Sequence, residues 1–400
     1  MTALAETLRG PDVTAWLDAP SPVHLKLYSI PFALLGPLLG VNVLSAEPLN
    51  LLYYLAVLVL VYLMGAELYG RRAGLCAAGA VALWPSFLLH TTQLLKDPLF
   101  ITALLALVLV GLRLLTREYS WRRGLAAGVA GGAALVVLWL VRRDMWEVML
   151  AFVLVASGLF VVRQLRERRV LGGNLIAAAL LLVLALCVPH VVRPPQRATT
   201  TEPASGVAAE PSAADAARLR ERERRRQLQR GAPAGASLAE RISLLRHRFK
   251  ELYPGAGSNL DAEVRFEGTA DVVRYVPRAA LIGFFAPFPE MWLARGEQVG
   301  RAGRLLSGAE TLAMYLLTLA AVVGWWRGPR RLAASLLMLT AAAGATALGL
   351  VVTNIGALYR MRYAFWMLLI VVGSQEVARV LSRRRGRPAS PAAEAAGAGR

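Results

Sequence analysis

The sequence predicts an all-α polytopic membrane protein with about nine or ten transmembrane helices and one long extracytoplasmic loop. Three observations carry that reading. The 400 residues are 56% hydrophobic with a mean hydropathy of +0.49, too apolar for an average soluble domain. Apolar runs close to the roughly 20 residues needed to cross a bilayer core recur along the chain. Arginine clusters occupy alternate intervals between those runs, as an oriented bundle requires.

Residues 1–49 read as an extracytoplasmic or interfacial segment. Residues 1–20 lack the basic start and apolar core of a cleavable signal, so internal helices are expected to drive insertion. The apolar piece 24–44 is the tenth candidate crossing, but its Lys26, Pro31 and Pro37 suit a helix lying along the interface. A first bundle over 50–192 holds about six helices, near 50–69, 73–91, 97–115, 124–141, 145–163 and 171–192. Residues 193–307 form the long extracytoplasmic loop. Its part 194–236, which contains RLRERERRRQLQR, has too few apolar residues for a core and is expected to be disordered or a solvated helix. Its part 237–306 is amphipathic: Ser237 and Glu240 fit a capping box, and Leu238, Ile242, Leu245, Phe249 and Leu252 recur at helical spacing. Further on, YVPRAALIGFFAPFPEMW, broken by Pro277, Pro287 and Pro289, reads as interfacial or partly re-entrant. A second bundle over 308–382 holds about three helices, near 308–326, 332–352 and 362–382, and 383–400 is a low-complexity, disordered cytoplasmic tail.

The formal charge of +19 comes from 45 Lys and Arg against 26 Asp and Glu. If the nine spans alternate, Arg71 and Arg72, Arg117 to Arg123, Arg166 to Arg169, Arg327 to Arg331 and Arg383 to Arg385 all fall on one side, which is the cytoplasm. Orientation thereby accounts for the basic excess, and no nucleic-acid partner is expected. The chain reads as a multi-pass protein of the inner (plasma) membrane with a cytoplasmic C-terminus. Cys76 and Cys187 lie inside apolar runs and read as packing residues. No phosphate-cradling glycine loop, nucleophile elbow or His/Cys metal spacing occurs, so no cofactor is assigned, while a divalent metal stays open.

Chemistry is sought at the outer helix ends. The stretch WPSFLLHTTQLLKDPLF gathers His90, Gln93, Lys96 and Asp97 between two apolar runs. Asp97 before Pro98 is a common helix start, but capping does not call for the polar neighbours, and a carboxylate at this boundary can act as a base or steady a cation. Arg360 and Arg362 in NIGALYRMRYAFW, and Arg142 and Arg143 beside Asp144, place guanidinium groups where the positive-inside rule expects few. Guanidinium forks match phosphate oxygens, so these turns suggest one shared anion site. Asp261, Glu263 and Asp271 read as solvated loop carboxylates, His190 as an interfacial helix end and His247 as solvated.

Several of these segments resemble membrane glycosyltransferases of the GT-C superfamily, especially the bacterial relatives of protein O-mannosyltransferases and aminoarabinose transferases. LLGPLLG followed by NLLYYLAVLVLVYLMGAELYGRRAGLCAAGAVALWPSFLLHTTQLLKDPLF carries the resemblance, with APFPEMW, SGAETLAMY and LYRMRYAF later. It implies a sugar donor attached to a polyprenyl phosphate and transfer on the non-cytoplasmic face. Asp97 then matches the family's acidic residue at a span start, and Arg360 and Arg362 match the basic pair expected at the lipid phosphate. Such enzymes open with a membrane helix and an acidic outer loop. Here no apolar run precedes residue 20, and Asp12 and Asp18 are the nearest acids, so the expectation is a start upstream of Met1 or a chain without the family's main base.

The expected function is therefore transfer of a sugar from a polyprenyl-phosphate-linked donor to a glycan, lipid or protein acceptor at the outer face. Asp97 is the catalytic candidate. Arg360, Arg362, Arg142, Arg143, Lys96, His90 and Gln93 are the substrate-binding candidates. The alternatives are a transporter or flippase of lipid-linked glycans, which would be expected to show internal repeats and mid-membrane charges, and a non-catalytic partner of a polysaccharide assembly complex.

Overall fold

A computed structural model describes residues 2–11, 13–40, 42–91, 93, 96–192, 235–252, 258–293 and 300–385. Most of the expected disordered stretch 194–236 and of the tail 383–400 lies outside those residues, as does Asp12. The described residues build helices, and their one isolated β-bridge pairs Asn259 with Asn354. In chain order the helices are α1 (Thr2–Arg9), α2 (Val13–Asp18), α3 (Val23–Leu39), α4 (Glu47–Tyr69), α5 (Arg71–Ala82), α6 (Pro85–Thr91), α7 (Asp97–Thr116), α8 (Trp121–Val141), α9 (Trp146–Glu167) and α10 (Gly172–Val191). After the long interval come α11 (Leu238–Leu252), α12 (Thr269–Phe285), α13 (Pro289–Trp292), α14 (Gly300–Arg327), α15 (Arg331–Val351), α16 (Ile355–Met361) and α17 (Tyr363–Arg385).

Among the described residues eight helices are long and apolar enough to cross a membrane, so the chain is an all-α polytopic membrane protein. The expected span 73–91 is the one that is not a single helix. Pro85 has no amide hydrogen to bond back and bars the residue before it from helical geometry, so α5 ends at Ala82 and α6 begins at Pro85. The tenth candidate, α3, is a 17-residue helix, below spanning length. Pro37 within it leaves the Ala33 carbonyl without its helical donor. Arg9 of α1 supplies one, donating through Nε to Ala33 O at 2.7 Å and through Nη2 to Phe32 O at 2.9 Å.

The bundle has two chemically distinct ends. At one, Glu67 of α4 accepts from Arg117 at 2.6 Å and lies 3.9 Å from both Arg113 and Arg330. Arg163 and Asn174 donate to the carbonyls of Leu114 and Arg117, covering the C-terminal acceptors that α7 cannot satisfy itself. At the other end the start of α7 meets the residues after α8 and within α16. The chain thus passes from end to end between Gly70 and Asp97, and α5 with α6 make that pass in two pieces.

Small residues let helices approach where no hydrophobic effect drives them together. A Cβ on Gly124 of α8 would sit 1.9 Å from the Gly173 carbonyl oxygen of α10. Likewise a Cβ on Gly283 would meet Ala345 O at 1.9 Å and one on Gly349 would meet Ala279 O at 1.9 Å, so α12 and α15 cross antiparallel at backbone contact. The proline-broken stretch expected to be interfacial or re-entrant is therefore mainly a helix seated along α15.

In α11 the capping box is present: Ser237 N donates to Glu240 Oε2 at 2.7 Å and Glu240 N to Ser237 Oγ at 3.2 Å. The buried face matches the expected one in part, since Ile242 is buried and Phe249 packs against the core. Leu238 is 49% exposed, while Ala239, Ile242 and Arg246 turn inward. Arg246 stands over the rings of Phe266 and Tyr275 and donates to Leu350 O at 2.8 Å, covering the end of α15. Residues 258–260 then lie on the turn before α16: Leu260 N donates to Thr353 O at 2.8 Å and Ile355 N to Ser258 O at 3.2 Å.

Candidate active site

Asp97 opens α7, one of the two most buried spans. The residue is 6% exposed. Its Oδ1 accepts from Arg142, the residue that closes α8, and its Oδ2 lies 3.1 Å from Nε of Arg360 in α16. Three of the residues expected from sequence to serve one site therefore meet, from three separate elements. Two guanidinium groups against one carboxylate leave the cluster net positive. Arg142 is buried against the Phe100 ring at 5.4 Å, and Arg360 keeps 28% of its side chain open. The Nε–H of Arg142 and that of Arg360 have no hydrogen-bond acceptor among the described residues, the Arg360 contact being an ion pair rather than an aligned bond. Buried guanidinium donors left open in this way favour an anion or water as their acceptor.

The other candidates are placed differently. Arg362 is 0% exposed and lies in the core, 3.8 Å from the Trp366 ring and 4.6 Å from that of Tyr359. It donates to Ala286 O at the C-terminal end of α12, where a cation complements the helix dipole. The core encloses it, and its Nε and Nη2 have no hydrogen-bond acceptor among the described residues. Arg143 is exposed and stands 6.0 Å from the Trp139 ring. Gln93 is exposed and Lys96 half-buried. The side chain of His90 lies outside the described ones, as do residues 92, 94 and 95. The loop acids are committed to structure: Asp261 holds Arg278 and Tyr275, Glu263 pairs with Lys250, and Asp271 accepts from Gly268 N at the start of α12.

Sequence reading passed over Glu310, in the apolar helix α14. Its carboxyl group is 5% exposed and accepts from the Ser86 amide at 2.7 Å, from Ser86 Oγ at 2.5 Å and from the Tyr359 hydroxyl. Burial, with Glu310 beside it, pushes the Tyr359 hydroxyl well above its ordinary range, so it remains a donor. The available signal was a lone acid within a membrane-length apolar run, a position that is costly without a purpose. Among the described residues no three His, Cys, Asp or Glu side chains gather as a metal site, so no donor set for a divalent ion is assigned.

Residues 27–192 match the family model described as dolichyl-phosphate-mannose-protein mannosyltransferase. No curated protein and no solved structure gives a significant match. The family match covers less than half of the 400 residues and includes Asp97 and Arg142, whereas Arg360 and Glu310 lie beyond it. Over residues 27–192 the chain is thus similar to a GT-C-type glycosyltransferase family, and its membrane-length helices make it a polytopic membrane protein.

Proposed function

We propose that the protein transfers a sugar from a polyprenyl-phosphate-linked donor to a hydroxyl-bearing acceptor at the extracytoplasmic face of the inner membrane. In this reading the arginine-rich end at Glu67 is cytoplasmic and the Asp97 end is external. The observation that carries the proposal is the convergence of Arg142 and Arg360 on Asp97 with guanidinium N–H groups still open. Net positive charge at a helix end of a membrane bundle suits a lipid phosphate, which is anionic and confined to that depth.

The reaction breaks the bond between the anomeric carbon and the phosphate oxygen and joins that carbon to the acceptor oxygen. Arg360 and Arg142 stabilise the charge that grows on the departing lipid phosphate. Asp97 holds both guanidinium groups in place until the phosphate competes for them. A carboxylate oxygen released in that exchange takes the acceptor's proton. Lys96 adds positive charge beside the cluster.

Undecaprenyl phosphate binding to the protein in nanodiscs, and transfer from radiolabelled polyprenyl-phosphate sugars, test this reading. Arg360→Ala should weaken binding by about ten-fold or more, the scale of one lost charge-assisted contact. Asp97→Asn should lower transfer more than binding. Unchanged binding and transfer in both variants would overturn the assignment.

A further inference from the structure

We propose that Glu310 is a positioning residue for the phosphate-binding arginine, acting as a latch between the two segments that frame the site. This rests on the lipid-phosphate reading above and names a residue outside the matched family region. The Glu310 carboxyl group ties α14 to α6 through the Ser86 amide at 2.7 Å and the Ser86 hydroxyl at 2.5 Å, and to α16 through the Tyr359 hydroxyl. Tyr363 of α17 closes the set by donating to Ser86 Oγ at 2.7 Å. Ser86 stands at the start of the short helix from which the chain goes on to Asp97. Tyr359 immediately precedes Arg360. One carboxyl group therefore fixes the residue next to Arg360 and the start of the helix that precedes Asp97 in the chain.

The chemistry fits acceptance and little else. A carboxylate offers several lone pairs and no donor, which matches the three donors that face it. No Lys, Arg or His nitrogen of the described residues lies within ion-pair distance of it, so it is not half of a salt bridge. Leucine fills a similar volume but accepts no hydrogen bond, so it would leave the Ser86 and Tyr359 donors without this acceptor. What leucine cannot do is hold an amide of α6 and a hydroxyl of α16 at the same point.

The test compares Glu310→Leu, Glu310→Gln and the Glu310→Leu/Arg360→Ala double variant in nanodiscs, with thermal unfolding recorded to establish that each is folded. Glu310→Leu should weaken undecaprenyl phosphate binding about ten-fold and raise amide hydrogen exchange in both 85–91 and 355–361. Glu310→Gln, which keeps a carbonyl acceptor, should recover most of the binding. The double variant should bind no worse than Arg360→Ala alone, because a residue that acts through Arg360 has nothing left to position. Additive losses, or a folded Glu310→Leu protein with wild-type binding, would overturn the proposal. Should Glu310→Leu not fold, Tyr359→Phe removes only one donor and must still weaken binding, and wild-type binding there also overturns it. If the wild-type protein does not bind undecaprenyl phosphate, the functional reading fails, while the hydrogen-exchange comparison still decides whether Glu310 is a latch.

Discussion

Single side chains in this protein close gaps that the backbone leaves. Arg9 replaces the donor missing at Pro37, Arg163 and Asn174 cover the end of α7, Arg246 covers the end of α15 and Arg362 that of α12. Outside the bundle, Asp261 does the same work for the strap over the turn before α16. The Arg278 guanidinium, bonded at 3.0 Å, holds its carboxyl below the usual carboxylate range; burial opposes that shift and the Tyr275 hydroxyl adds to it. A depressed folded value means that its stabilisation is complete above the unfolded value of about 3.9 and is lost as pH falls through the lower folded one. Protection of 258–268 against hydrogen exchange, taken relative to the intrinsic rate at each pH, should therefore fall on acidification from pH 5 towards pH 2. Asp261→Asn should show lowered protection already at neutral pH and little further change. The Asp97 cluster was only partly legible at this scale, and Arg246 carried no sequence expectation. An arginine at an outer helix end is visible in sequence, but whether it meets a carboxylate, as Arg360 does, or a ring, as Arg362 does, depends on neighbours distant in the chain.

At the scale of elements, the antiparallel contact of α12 with α15 holds the former in place, and α12 in turn supplies the Ala286 carbonyl that Arg362 caps. Gly283→Val puts a branched side chain where even a Cβ would lie 1.9 Å from the Ala345 oxygen, so the helices must separate. A cost of about 1–3 kcal/mol is expected from such overpacking, read as a lower unfolding temperature in detergent, with Val276→Ala on the exposed side of α12 as the near-neutral control. The division of 73–91 into α5 and α6 shows how an element can be readable in parts. Window hydropathy averages across Trp84 and Pro85, while the geometry of the prolyl bond acts on a single residue. The break matters because it puts the Ser86 amide at a helix start, where it donates to Glu310.

For the whole molecule, the separation of an arginine-rich end from the Asp97 end leads to an orientation that can be measured. With Cys76 and Cys187 changed to serine, a membrane-impermeant thiol reagent should label Ser237→Cys in intact cells and Arg168→Cys only after lysis. The opposite pattern would place the Asp97 end in the cytoplasm and remove the extracytoplasmic reading. The amino-acid sequence by itself determined the fold class, eight of the nine expected spans and the asymmetry of charge between their ends. These follow from local rules: a backbone in lipid must bond within its own segment, and orientation follows the flanking cations. Tertiary structure alone decided which charges meet. Asp97, Arg142 and Arg360, and equally Glu310, Ser86 and Tyr359, come from elements far apart in the chain, and their convergence is set by how the helices pack, not by any spacing within one helix.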